Sequence, residues 1–215
     1  MTRFRALWPV LLLLLLPGMA LAAGMRTFDE GIEYIPLKPP VPTSDPRRIE
    51  VVELFWYGCP HCYRFEPKFR KWIKERKPDN VNIVLIPAIT GPGWVPAAKA
   101  FYTAELLGVL DRSHQALFDA IHVERKRFRN GTDFARFFTR FGISEEKFLE
   151  TYSSFAVDLK VRRAADLTRR YGVDGVPSVV VNGKYRTSGP LVNGDEGMLD
   201  ALDYLIALEA GKLGK

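Results

Sequence analysis

The pattern of apolar and polar positions divides the chain into two strand-bearing ends and a helical middle. Ile49–Trp56 is an apolar run broken only by Glu50 and Glu53, and it predicts a largely buried central strand. Gly58 ends the run. Further on, Phe65, Phe69, Trp72 and Ile73 fall at i, i+4, i+7 and i+8, the spacing of one helical face. Pro60 stands where that helix should begin, a position that tolerates its missing N–H. Pro67 inside the pattern should kink the helix, and Lys77-Pro78-Asp79-Asn80 closes it. Val81–Ile86 reads as a second buried strand. Strand, helix and strand over residues 49–86 imply parallel strands joined by a right-handed crossover.

Residues 23–48 are Pro-rich and extended, with Ile32–Ile35 a candidate edge strand. Residues 95–171 show helical periodicity and no strand signal. Ala97, Ala100, Phe101, Ala104 and Leu107 form one stripe; Leu117, Ala120 and Ile121 form another; Phe134, Phe137, Phe138 and Phe141 form a third, closed by Gly142. Ser144 caps a helix opening with Glu145-Glu146, acids suited to the positive end of a helix. A long amphipathic stretch runs from about Ser154 to Tyr171. Strand signals return at Pro177–Val181, Asn182-Gly183 is a two-residue hairpin turn, and Lys184–Thr187 is the returning strand. A last helix from about Asp195 to Leu208 carries Leu199, Leu202, Leu205 and Ile206 on one side. The layout is an α/β one: βαβ, an all-helical insert, then ββα.

The first residues belong to another category. A basic start holding Arg3 and Arg5, a short apolar run from Ala6 to Leu16 and the Ala20-Leu21-Ala22 site have the form of a secretory signal, cleaved after Ala22 or Ala23. The alternative is an uncleaved anchor, but the run is short against the ~20 residues a span needs. Removing residues 1–22 leaves 193 residues and lowers the net charge from +6 to +4. Small basic clusters such as Arg125-Lys126-Arg127 and Arg162-Arg163 read as solvated helix faces, and nothing calls for nucleic acid. A hydrophobic content of 47% over 215 residues excludes disorder and supports a core without disulfide staples.

Only two cysteines occur, Cys59 and Cys62, in the run Cys59-Pro60-His61-Cys62. Two cysteines make neither a disulfide framework nor a four-cysteine zinc site. Placed at a helix N-terminus, Cys59 meets unpaired backbone N–H groups and the positive end of the helix dipole, both of which favour its thiolate. Cys62, one turn later, can attack a mixed disulfide formed at Cys59. Pro60 is rigid and lacks a donor, and His61 can bring positive charge or a hydrogen bond to Cys59. A dithiol whose reduced form is stabilised in this way is an oxidant. A static disulfide across so short a loop would constrain the unfolded chain little. His114 and His122, eight apart in the insert, have nothing to place them beside the cysteines, so no metal site is expected; Tyr63 after Cys62 excludes a haem-attachment motif.

Two further points bear on that chemistry. Glu53 lies in the middle of the first strand, six residues before Cys59: it is either an acid at the strand surface or a buried proton acceptor beneath the dithiol, where its charge would be costly. Glu50 points to the opposite face, near solvent, with no role beyond solvation. Gly175-Val176-Pro177 precedes the late strand, and its X-Pro bond is open to either isomer on local sequence.

Phe55-Trp56-Tyr57-Gly58-Cys59-Pro60-His61-Cys62-Tyr63 with Phe65-Glu66, and Gly175-Val176-Pro177 with Val181-Asn182-Gly183-Lys184-Tyr185, closely resemble DsbA-type thiol:disulfide interchange proteins over nearly the whole mature chain. The resemblance implies a thioredoxin fold, residues 23–88 and 172–215, interrupted by a helical insertion domain at 89–171. It implies a periplasmic, monomeric enzyme of a Gram-negative bacterium. Its activity would be that of a dithiol oxidase introducing disulfides into newly exported proteins, with no cofactor beyond the Cys59–Cys62 disulfide. A quinone-linked DsbB-type membrane partner would reoxidise it. Cys59 would be the exchanging sulfur, Cys62 its partner, Pro60, His61 and Glu53 the redox-tuning residues, and Val176 and a cis Pro177 the substrate-binding backbone. Two departures stand out. Relatives pair the buried acid with a lysine on the following strand, and Val81–Ile86 has none; Trp94 and Gly91-Pro92-Gly93 also differ. The rival readings are an isomerase or reductase using the same residues, and a non-enzymatic periplasmic peptide-binding or chaperone module indifferent to loss of the cysteines.

Overall fold

The structure is a computed structural model describing residues 26–213, so the signal-like segment lies outside the described residues. Five strands form one sheet: β1 (Ile35–Pro36), β2 (Ile49–Phe55), β3 (Val81–Pro87), β4 (Ser178–Val181) and β5 (Tyr185–Ser188), in the order β1-β5-β4-β2-β3. β2 and β3 are parallel, pairing Glu53 with Leu85; β4 lies antiparallel on the other side of β2, and β5 and β1 continue antiparallel to the edge. The helices are α1 (Pro60–Glu75), α2 (Val95–Leu106), α3 (Leu110–His122), α4 (Gly131–Phe138), α5 (Glu145–Tyr152), α6 (Phe155–Arg170), the short α7 (Gly189–Val192) and α8 (Asp195–Leu213).

Strand alternation gives the sheet two buried faces. Ile49, Val51, Val179 and Val181 turn toward Phe65, Phe69 and Trp72 of α1 and Leu199, Leu202 and Leu205 of α8. Val52, Leu54 and Val180 turn the other way, into a core shared with Phe101, Phe118, Phe134 and Phe148 of the inserted helices. Because both faces are covered, β2 carries no exposed residue. On α1 the stripe expected from sequence stacks ring on ring, Phe65–Phe69 at 5.5 Å and Phe69–Trp72 at 5.7 Å. Trp72 Nε1 donates to Asp203 Oδ1 at 2.7 Å, tying α1 to α8.

Local chemistry sets several boundaries. Ser144 and Ser154 accept from Lys147 N and Val157 N and open α5 and α6. Asn182 and Gly183 have φ of 52° and 62°, the left-handed pair of a tight hairpin. Gly183 is also required sterically, since a Cβ there would lie 1.9 Å from Val41 O.

α1 runs through Pro67 to Glu75 and stops just before Lys77-Pro78, where the sequence places its end. Three expectations need correction. The edge strand is Ile35–Pro36, with only an isolated bridge between Glu30 and Tyr34 before it. Arg125-Lys126-Arg127 is not a helix face but part of the non-helical link between α3 and α4. Glu50 is buried, 7% exposed, because the Pro-rich lead-in folds over it: Ser44 N and Oγ donate to its Oε2 at 3.1 and 2.5 Å.

Candidate active site

Cys59 is the N-cap of α1, at the point where β2 hands the chain to the helix, and Pro60 and His61 are its first helical residues. Gly58 is fixed there by packing, since a Cβ would lie 2.4 Å from the Trp56 ring. Cys59 and Cys62 are free thiols, 9% and 1% exposed. Beside Cys62, the Cys59 thiol is pulled down to about 6: the Cys62 side chain is the largest cause, and the backbone N–H groups of Cys62 and His61 act with it against burial. Burial pushes Cys62 far up, and the neighbouring Cys59 and Glu53 act in the same direction. The two sulfurs are thus driven apart, one toward a stable thiolate and the other toward a thiol that holds its proton.

The second expected element faces the first. The Val176–Pro177 bond is cis, and Cys59 Sγ donates to Val176 O at 3.4 Å. Ser178 Oγ donates to Gly175 O at 2.7 Å and holds that turn. A groove of about 640 Å³ opens alongside, lined by Val176, Pro177, His61, Ile35 and Leu191. On another side of the Cys-x-x-Cys loop, Trp56 stacks on Trp94 at 4.6 Å. His61 has a specific arrangement: Arg64 Nη2 lies 2.7 Å from its Nδ1. A guanidinium only donates, so Nδ1 accepts. In this arrangement His61 reaches the thiolate through its backbone N–H.

Glu53 resolves as the buried alternative, 1% exposed, on the α1 side of β2. The lysine missing from β3 is replaced from the helices. Glu66, also 1% exposed, accepts from Arg70 Nε at its Oε1 at 2.6 Å, and His114 Nε2 stands 3.5 Å from the same oxygen. Although burial opposes it, His114 and Arg70 hold Glu66 below the usual carboxylate range. Burial first, then the Glu66 charge, pushes Glu53 well above that range, and both favour its neutral form. Glu53 Oε2, Glu66 Oε2 and His114 Nε2 are three of four buried polar side-chain atoms among the described residues without a hydrogen-bond partner.

His114 and His122 do lie beside the site, contrary to expectation, and as a clamp rather than as ligands. His114 Nδ1 is 2.7 Å from the Tyr57 hydroxyl, His122 Nε2 donates to Tyr57 O at 2.8 Å, and the His122 ring stacks on Tyr63 at 4.9 Å. Residues on either side of the Cys-x-x-Cys loop are therefore gripped by α3. Among the described residues no cluster of His, Cys, Asp and Glu could hold a metal ion. Sequence gave no signal for this clamp, because its partners stand 57 and 65 positions apart.

An N-terminal strand and helix carrying the dithiol, an opposing cis-proline turn and a helical insert define a thioredoxin-type dithiol oxidoreductase. The DSBA-like thioredoxin domain model matches residues 90–206. The DsbA of Pseudomonas aeruginosa is 45% identical over 88% of this chain and 89% of its own length, and that of Pseudomonas syringae 41% over 89% of each. The crystal structure of Pseudomonas aeruginosa DsbA superposes with a TM-score of 0.82 at 45% identity, covering 87% of this chain and 97% of that one. The chain belongs to the DsbA family of thiol:disulfide interchange proteins, and its fold is the thioredoxin fold with a helical insertion.

Proposed function

We propose that the protein is a periplasmic dithiol oxidase whose working group is the Cys59–Cys62 pair. The observation that carries this reading is geometric: Cys59 caps α1 and faces the cis Val176–Pro177 bond at 3.4 Å, with Cys62 buried one turn on, and the lowered Cys59 and raised Cys62 pKa values agree with it. A substrate thiolate attacks Cys59 Sγ of the oxidised enzyme and breaks the S–S bond. Cys62 leaves as a thiolate and takes up a proton from Glu53, which influences it electrostatically and is reprotonated in turn from water. The second substrate thiolate then attacks the substrate sulfur of the mixed disulfide and expels Cys59. The substrate leaves with a disulfide, and the enzyme keeps two electrons as the Cys59 thiolate and the Cys62 thiol. No further cofactor is needed. The Val176–Pro177 turn and the groove beside it receive the extended substrate segment, whose backbone can pair with the exposed edge of the turn.

The same reading covers the rest of the molecule. The signal of residues 1–22 directs export to the periplasm, and no described helix is long and apolar enough to cross a membrane. Residues 23–88 and 172–215 are the redox domain, residues 89–171 the insertion that grips it through His114 and His122. The protein works as a monomer on exported proteins with free thiols and is reoxidised by a quinone-linked, DsbB-type membrane protein. The test is oxidation of a reduced dithiol peptide by the oxidised wild type against Cys59→Ala. The variant should lose the activity; equal rates would leave only a peptide-binding role.

A further inference from the structure

The positive charge of the chain is concentrated at one place. The described residues 26–213 sum to +3, and residues 123–140 alone sum to +4, six basic against two acidic side chains. Elsewhere on the insert most cations sit with acids, Lys99 on Asp158, Lys147 on Glu150, Lys160 on Glu105, Arg169 and Arg170 on Asp166, while Arg112, Arg162 and Arg163 have no carboxylate partner among the described residues. In the α3–α4 link and α4 the acids are outnumbered. Lys126 and Arg140 share Glu124, and Arg129 takes Asp133. Arg125, Arg127 and Arg136 are exposed and have no carboxylate partner among the described residues. Lys126, Arg127, Arg136 and Arg140, with one carboxylate, Asp133, line one concavity of about 230 Å³ floored by Phe128 and Phe137. Val123, at the start of this surface, is 63% exposed.

We propose that this basic surface docks on anionic phospholipid headgroups. Unpaired guanidinium groups match phosphodiester oxygens in charge and in fork geometry. Basic residues near an anionic leaflet attract it within a Debye length, and their contributions accumulate over a cluster of this size. Val123 offers an apolar contact at the lipid boundary. The surface does not line the groove at Val176–Pro177, so it leaves the substrate path open. It begins one residue after His122, which touches Tyr57 and Tyr63 beside the dithiol. Docking there holds the Cys59 end of the molecule near the membrane, where the reoxidising partner of the proposed function resides. The inference rests on that reading for export and for the membrane partner.

The test is co-sedimentation of the mature protein with phosphatidylcholine vesicles, with and without phosphatidylglycerol. Wild type should bind the anionic vesicles only, and lose them at ~0.5 M salt, where screening is strong. The K126E/R127E/R136E variant should bind about tenfold more weakly, with unchanged melting and unchanged oxidation of a neutral soluble dithiol peptide. Absence of phosphatidylglycerol-dependent binding by wild type, or equal binding by the variant, overturns the proposal. So does a variant that keeps vesicle binding and loses oxidation of an acidic thiol peptide, which would assign the surface to protein substrates. Failure of the redox reading appears separately, as loss of wild-type activity on the neutral peptide.

Discussion

Cys62→Ala removes the neighbour that does most to lower the Cys59 pKa. A hydrogen bond to a charged group contributes about 1.5–3 kcal/mol, which is about one to two pH units. Cys59 should therefore move from about 6 to between about 7 and 8 in the variant, with the helix-end N–H groups holding the rest of the shift. The change carries a stability consequence. A folded-state pKa of about 6 against 9.0 in the unfolded chain makes the thiolate stabilising by about 1.4 kcal/mol at pH 7. Solvent screening at this partly accessible sulfur reduces that to on the order of 1 kcal/mol. The folded pKa is the depressed one, so the gain is fully present above the unfolded pKa and disappears as pH falls through about 6. In Cys62→Ala it shrinks to under about 0.5 kcal/mol at pH 7. Alkylation of the single remaining thiol as a function of pH, alongside ultraviolet thiolate absorbance, reads the titration directly. A variant still titrating at the wild-type pH would refute the assignment and leave the helix end as the dominant cause.

Glu66→Gln removes the charge that helps hold the proton on Glu53; infrared titration of the Glu53 carboxyl should show its pKa falling, and an unmoved band would place the whole shift on burial. His114→Ala leaves Glu66 with Arg70 alone and the Tyr57 hydroxyl without its partner, and urea unfolding should show a loss of about 2–3 kcal/mol; a loss under about 0.5 kcal/mol would mean that water replaces the imidazole at no cost. Gly183→Ala places a Cβ 1.9 Å from Val41 O at a φ of 62° and should cost at least about 2 kcal/mol, with near-wild-type stability contradicting the close approach at that turn.

The legible and illegible parts of the site differ in reach along the chain. Cys59, Pro60, His61 and Cys62 lie within four residues, and Pro60 at the first helical position fixes the helix start, so the N-cap placement of Cys59 followed from local rules. The paired strands and the Asn182-Gly183 turn were legible for the same reason. Glu53 could be placed in a strand, but its burial depends on α1 crossing the sheet at Glu66 and Arg70. Glu50 was misjudged because Ser44, which accommodates its carboxylate, belongs to a Pro-rich segment with no periodicity to follow. His114 and His122 project from the insert, and only tertiary packing brings them to Tyr57. The basic link after His122 shows the same limit: its charges are plain in sequence, while their convergence with Arg136 and Arg140 is a property of the α3–α4 corner.

The central claim is that the dithiol is an oxidant because the folded protein stabilises its reduced form. Denaturant unfolding of the oxidised and the reduced protein at pH 7 tests it most directly. The loop closed by Cys59 and Cys62 is too short for the disulfide to constrain the unfolded chain much, so the thiolate should decide the sign. The reduced protein is predicted to be the more stable, by on the order of 1 kcal/mol or more at pH 7, with the gap closing as pH falls through the Cys59 titration. An oxidised form more stable than the reduced one would contradict the account and make the protein a reductase.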